Sequence, residues 1–106
     1  MDLRNFSALM QAQTIGPAAY DHFTEEPATR PYLVYGEDPR SIFWADNQPI
    51  HMPGAYAVLL YTDKKNPATE RLTYDLLAES GAIVIQQPDE WENERGVFVT
   101  EFSIRY

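Results

Sequence analysis

The sequence predicts an α+β domain in which two α-helices pack on one face of an antiparallel or mixed β-sheet. Three observations predict it. Apolar residues recur at three- and four-residue spacing in two stretches, one near the N-terminus and one around Leu72. Runs of strand formers fill much of the rest, and short polar turns separate them. Strands joined by short turns fold back on each other, which sets this pattern apart from the long crossovers of a parallel sheet.

The first helix runs from Asp2 to about Gln13, with Leu3, Phe6, Leu9, Met10 and Ala12 at helical spacing and Asp2 placed to accept from the first free amides. Gly16-Pro17 blocks any continuation. A short extended piece follows around Ala19 to Phe23, and Pro27 and Pro31 bracket a polar turn. Tyr32-Leu33-Val34-Tyr35 is a strand closed by Gly36 and Pro39. Ile42-Phe43-Trp44-Ala45 is another strand, followed by an Asp46-Asn47-Gln48-Pro49 turn.

A long strand is expected from about Ile50 to Thr62, interrupted at Pro53-Gly54. Strict alternation places Tyr56, Val58 and Leu60 on one face and Ala57, Leu59 and Tyr61 on the other. Both faces are apolar, so this strand belongs at the centre of the sheet, under helices on one side and facing another subunit on the other. Asn66 caps the second helix, with Pro67 at its first position, Glu70 in the first turn and Ala68, Leu72, Leu76 and Leu77 as its apolar stripe. Ser80-Gly81 stops it. Ala82 to Ile85 is a strand, the acidic run from Pro88 to Gly96 is a solvated connection, and Val97 to Tyr106 forms the last strand. Phe98, Phe102, Ile104 and Tyr106 lie on one face of it.

The 106 residues fit a single domain, residues 1–106. Acidic residues outnumber basic ones 16 to 8, a net charge of −8, which argues against a general binder of phosphate backbones. The 44% hydrophobic and 13% aromatic content is that of a folded chain. Cysteine is absent, which excludes disulfides, thiolate metal sites and cysteine nucleophiles. The first twenty residues carry Asp2 and Arg4 and do not read as a secretory signal, and no apolar run is long enough to span a bilayer, so a cytosolic location without membrane association is expected.

Little in the chain points to catalysis. His22 and His51 stand apart from any nucleophile or metal-binding motif, although a site built from both with Asp21 or Asp46 is compatible with the spacing. Asp89, Glu90, Glu92 and Glu94 lack the apolar flanks that would raise a carboxyl pKa. The five glycines form no phosphate-binding loop. No catalytic residue, metal or cofactor is assigned. Two features remain: the Asp63-Lys64-Lys65 turn, and Trp91 inside a charged loop, either folded back on the sheet or offered to a partner. The strands carry more apolar surface than two short helices can cover, which points to assembly.

The segment Tyr56-Ala57-Val58-Leu59-Leu60, running into Tyr61-Thr62-Asp63-Lys64-Lys65 and then a proline-capped helix with Glu70, Leu72, Leu76 and Leu77, resembles a family from long-tailed bacteriophages and prophages. These are the tail terminator proteins, also called tail-completion or head–tail joining proteins. The similarity takes in Tyr20 and Phe23, the Pro31 to Tyr35 strand, the aromatic strand ending in Ala45-Asp46-Asn47, and the last strand after an acidic loop. Tyr-Thr-Asp-Lys-Lys is its most specific part.

The resemblance implies a non-enzymatic virion subunit that assembles with itself into a ring, commonly a hexamer, at the end of the tail tube. The ring stops tube polymerisation and joins the tail to the head, so the implied partners are the tail tube protein and the head–tail connector protein. Its implied location is the host cytoplasm during assembly and then the virion tail or neck. DNA passing through such a ring would slide past like charge without sticking. Asp63, Lys64, Lys65 and Trp91 are the candidate assembly residues. Two alternatives stand beside this: another phage neck (head-completion) protein of similar size, and an acidic protein that mimics DNA to inhibit a basic target.

Overall fold

A computed structural model describes residues 1–38, 42–45, 48–51 and 54–106, the two short segments by their backbone alone. The elements are α1 (Leu3–Ala12), β1 (Ala18–Tyr20), β2 (Tyr32–Glu37), β3 (Ile42–Ala45), β4 (Gln48–His51), β5 (Ala55–Thr62), α2 (Pro67–Glu79), β6 (Ile83–Gln86), β7 (Glu90–Glu92) and β8 (Val97–Arg105). One six-stranded sheet has the order β1-β2-β5-β8-β6, with β7 also paired to β8, and β3 and β4 form a separate two-stranded sheet. β1 runs parallel to β2 and every other pairing is antiparallel, so the sheet is mixed and the class is α+β.

Local chemistry sets the helix limits. Asp2 accepts from Asn5 N at 2.9 Å to start α1, and Asn66 accepts from Thr69 N at 3.2 Å to start α2. The Gln13 side chain ends α1 by donating to Met10 O and Gly16 O and accepting from Ile15 N. Gly16 has a second role, because a Cβ there would lie 2.2 Å from the carbonyl oxygen of Pro31. Only glycine admits that approach between the end of α1 and the start of β2.

β5 holds the centre, paired along its whole length with β8 on one side and with β2 on the other. The expected alternation is observed. Tyr56, Val58 and Leu60 join Leu33, Tyr35, Phe102 and Ile104 in the main core, sealed by Phe6 and Met10 of α1 and Leu77 of α2. The Phe6 ring stacks on Tyr56 at 4.4 Å between centroids and meets Tyr35 edge-on at 5.8 Å.

Five expectations need correction. The Ile50 to Thr62 segment is two strands in two sheets: β4 ends at His51 with β3 as its partner, and β5 begins at Ala55 after Gly54, whose φ of +79° turns the chain. Gln48 and Pro49 belong to β4, while Pro39, Asp46, Asn47 and Pro53 lie outside the described residues. Gly36 does not close β2, because β5 supplies partners as far as Glu37. The acidic run from Pro88 to Gly96 is not simply a solvated connection, since Glu90–Glu92 form β7 against Val97 to Val99. The short extended piece is also displaced, to Ala18–Tyr20, and Asp21 leaves it with a φ of 65°.

Candidate functional site

Two regions bear on function: the end of the sheet that carries the candidate residues, and the face that no helix covers. At the first, Thr62 pairs with Phe98 across β5 and β8, and Phe98 pairs with Trp91 of β7. The Asp63-Lys64-Lys65 turn and Trp91 therefore come to the same end of the sheet although a helix and a strand separate them in sequence.

Asp63 and Lys65 are engaged within the chain. Arg30 Nη1 donates to Asp63 Oδ1 at 2.7 Å. Lys65 Nζ lies 2.9 Å from Glu70 Oε2 and 3.1 Å from Asp89 Oδ2, and Gln86 Nε2 donates to Glu70 Oε1 at 3.0 Å. Glu70 is buried, so the helix-dipole role expected from its position comes with a second one: it ties α2 to the β5–α2 turn and to β6. Hydrogen bonding to Glu70, and less to Asp89, holds the Lys65 ammonium above the usual lysine range. Lys64 is exposed. Trp91 rests its ring on Phe98 at 4.9 Å, with Nε1 donating to Asn93 Oδ1 and about half its surface open to solvent.

On the uncovered face, Tyr61 and Tyr32 stack at 4.7 Å, with Phe23 edge-on to Tyr32. The Arg95 guanidinium sits 5.3 Å above the Tyr61 ring, bonds Glu92 at 2.9 Å and lies 3.6 Å from Glu26. Tyr32 donates its hydroxyl proton to Glu26. That bond, helped by Arg95 and Arg30, holds the Glu26 carboxyl below the usual glutamate range. Burial first, and then Glu26, push the Tyr32 phenol up to about 12. Beside this cluster are two open grooves of about 290 and 340 Å³ that share Leu59. Phe23, Val34 and Tyr61 line the first; Pro88, Glu90, Glu92, Val99 and Glu101 line the second. The pattern is an apolar floor with acidic walls.

The face continues to the sheet edge. Ile83 and Ile85 of β6 pair with Arg105 and Ser103 of β8, and their side chains are 71% and 56% exposed. Sequence reasoning treated them only as strand residues and did not find the Arg95–Glu26–Tyr32 cluster. Alternation within Ala82-Ile83-Val84-Ile85 carries the first signal, because one face of that strand had to look away from the helices. The second joins residues far apart in sequence and leaves no local trace.

Asp21 and His22 form a pair at 2.9 Å in which both side chains are 75% exposed. Among the described residues, no three His, Cys, Asp or Glu side chains come together in a way that could hold a metal. The His51 side chain and Asp46 lie outside the described residues, so the two-histidine arrangement falls there. No helix among the described residues is long and apolar enough to cross a membrane. No family model, curated protein or solved structure matches the chain.

Proposed function

We propose that this chain is a non-catalytic structural subunit that assembles with copies of itself into a closed ring. Taken with the resemblance, the ring sits at the end of a phage tail tube, halts its growth and joins it to the head–tail connector. The observation that carries the reading is the asymmetry of the sheet: α1 and α2 seal one face, while the other keeps Leu59, Val34 and Val99 in open grooves. An apolar floor of this kind on a small domain is the mark of a surface awaiting a protein neighbour. The turn of Asp63, Lys64 and Lys65 and the half-exposed Trp91 add a second candidate contact at one end of the sheet. A net charge of −8 suits a passage through which DNA moves without binding.

Light scattering after size-exclusion chromatography, followed by negative-stain microscopy, tests the reading. Ring particles, formed alone or on purified tail tubes, are the expected result. A chain that stays small both alone and with tubes contradicts it. If that small chain instead captures a basic protein with steep salt dependence, the DNA-mimic alternative takes its place.

A further inference from the structure

We infer that β6 is a pairing edge for a second copy of this chain, joined antiparallel across a twofold axis at Val84 into a sheet that continues through both subunits. The inference goes beyond the ring reading and does not rest on it.

The backbone pattern identifies the outward-facing groups. Gln87 N donates to Glu101 O at 2.8 Å, continuing the β6–β8 register, so the two-residue alternation makes Ile85 and Ile83 the residues bonded to β8. Val84 and Gln86 then direct their N–H and C=O groups away from the sheet. The edge has none of the usual protections, because Ile83-Val84-Ile85-Gln86 carries no charge and no proline.

The other edges of the same sheet differ. In the parallel β1–β2 ladder, Leu33 N donates to Pro17 O and Asp21 N to Tyr35 O, which turns Ala18 and Tyr20 outward. Their carbonyls are already used: Gln11 Nε2 donates to Ala18 O at 3.0 Å, and His22 N donates to Tyr20 O at 2.7 Å. β7 carries Glu90 and Glu92 between Asp89 and Glu94, so like charge guards it. Head-to-tail pairing within this sheet needs two complementary open edges, and its described residues offer one. An edge that meets its own copy closes as an isologous pair.

The sequence of β6 is self-complementary in that register. Val84 meets Val84 of the partner subunit on the axis in a hydrogen-bonded pair. Ile83 lies opposite Ile85 of the partner subunit, and the same contact recurs on the other side of the axis. Both isoleucines, the most exposed apolar residues of the uncovered face, are covered at once. No like charges are brought into direct opposition along the strand. Four residues of strand bury less than the ~1,200 Å² of a stable interface, so the pair forms in a concentration-dependent way.

The chain has no cysteine, so introduced thiols report the register without interference. An equimolar mixture of Ile83→Cys and Ile85→Cys chains, oxidised at high concentration, is expected to give mainly the mixed disulfide, since opposed residues of a non-hydrogen-bonded pair have Cα atoms about 4.5 Å apart. Sedimentation equilibrium of the unmodified chain is expected to show monomer and dimer. Ile85→Lys should weaken dimerisation about a hundredfold, by loss of both isoleucine contacts, with an unchanged melting temperature in dilute solution where both chains are monomeric. A chain that is monomeric at every concentration, a dimer indifferent to Ile85→Lys, or cross-links distributed at random overturns the proposal. Rings that form without the mixed disulfide would also overturn it while supporting the ring reading.

Discussion

Phe6, Met10 and Leu77 close one face of the β2–β5–β8 sheet so completely that each is fully buried, whereas on the opposite face Phe23 packs edge-on against Tyr32 and the Arg95 guanidinium lies over Tyr61. The same three strands supply both faces. On the helix side, alternate residues meet apolar partners and the stabilisation is packing. On the other side the cover is polar: Arg95 lies over Tyr61, and Glu26 accepts from Tyr32, so solvent and grooves reach the sheet between charged groups. One face carries the main core, and the other a smaller buried cluster of Tyr32, Tyr61 and Val97 beside open grooves.

The largest test of this contrast is on the helix side. Phe6→Ala removes a ring stacked on Tyr56 and should destabilise by about 3–5 kcal/mol, read by chemical denaturation. Leu59→Ala, at the bottom of both grooves, should cost distinctly less, and an equal loss would break the contrast. Next comes the buried tie. Glu70→Ala leaves Lys65 with Asp89 alone and frees the Gln86 amide, for an expected loss of about 1–3 kcal/mol in the same assay.

Tyr32→Phe removes only the bond to Glu26 and should cost about 0.5–1.5 kcal/mol near neutral pH. Its pH dependence is more telling. The phenol titrates near 10 in the unfolded chain and at about 12 in the folded one, so between those values the unfolded chain has lost a proton that the folded chain keeps. The contribution of Tyr32 is intact below pH 10 and disappears as pH rises to about 12. Denaturation curves across that window should therefore fall more steeply for the unmodified chain than for Tyr32→Phe.

Both helices were legible because their signals are local: Asp2 and Asn66 cap within three residues, and apolar spacing marks the buried stripes. The two-faced character of β5 was legible for the same reason, since alternation is a property of the strand itself. β7 was not, because Glu90-Trp91-Glu92 has no apolar rhythm of its own and becomes a strand only through pairing with β8. The interruption between β4 and β5 was legible, but not that the two pieces join different sheets. At the candidate site, Asp63 and Lys65 stood out as charges in a turn. Their partners did not: Arg30 is 33 residues from Asp63, and Asp89 reaches Lys65 only once β6 and β8 are in place. The open edge of β6 required knowing which amides β8 consumes.

The central claim is that the uncovered side of the sheet, ending at β6, is reserved for assembly. Amide hydrogen exchange of Val84 and Gln86, followed as protein concentration rises, tests it most directly. The account predicts fast exchange in dilute solution and growing protection of these two amides with concentration, while Ile83 and Ile85, already bonded to β8, stay protected throughout. Exchange at Val84 and Gln86 that is independent of concentration up to the solubility limit would contradict it.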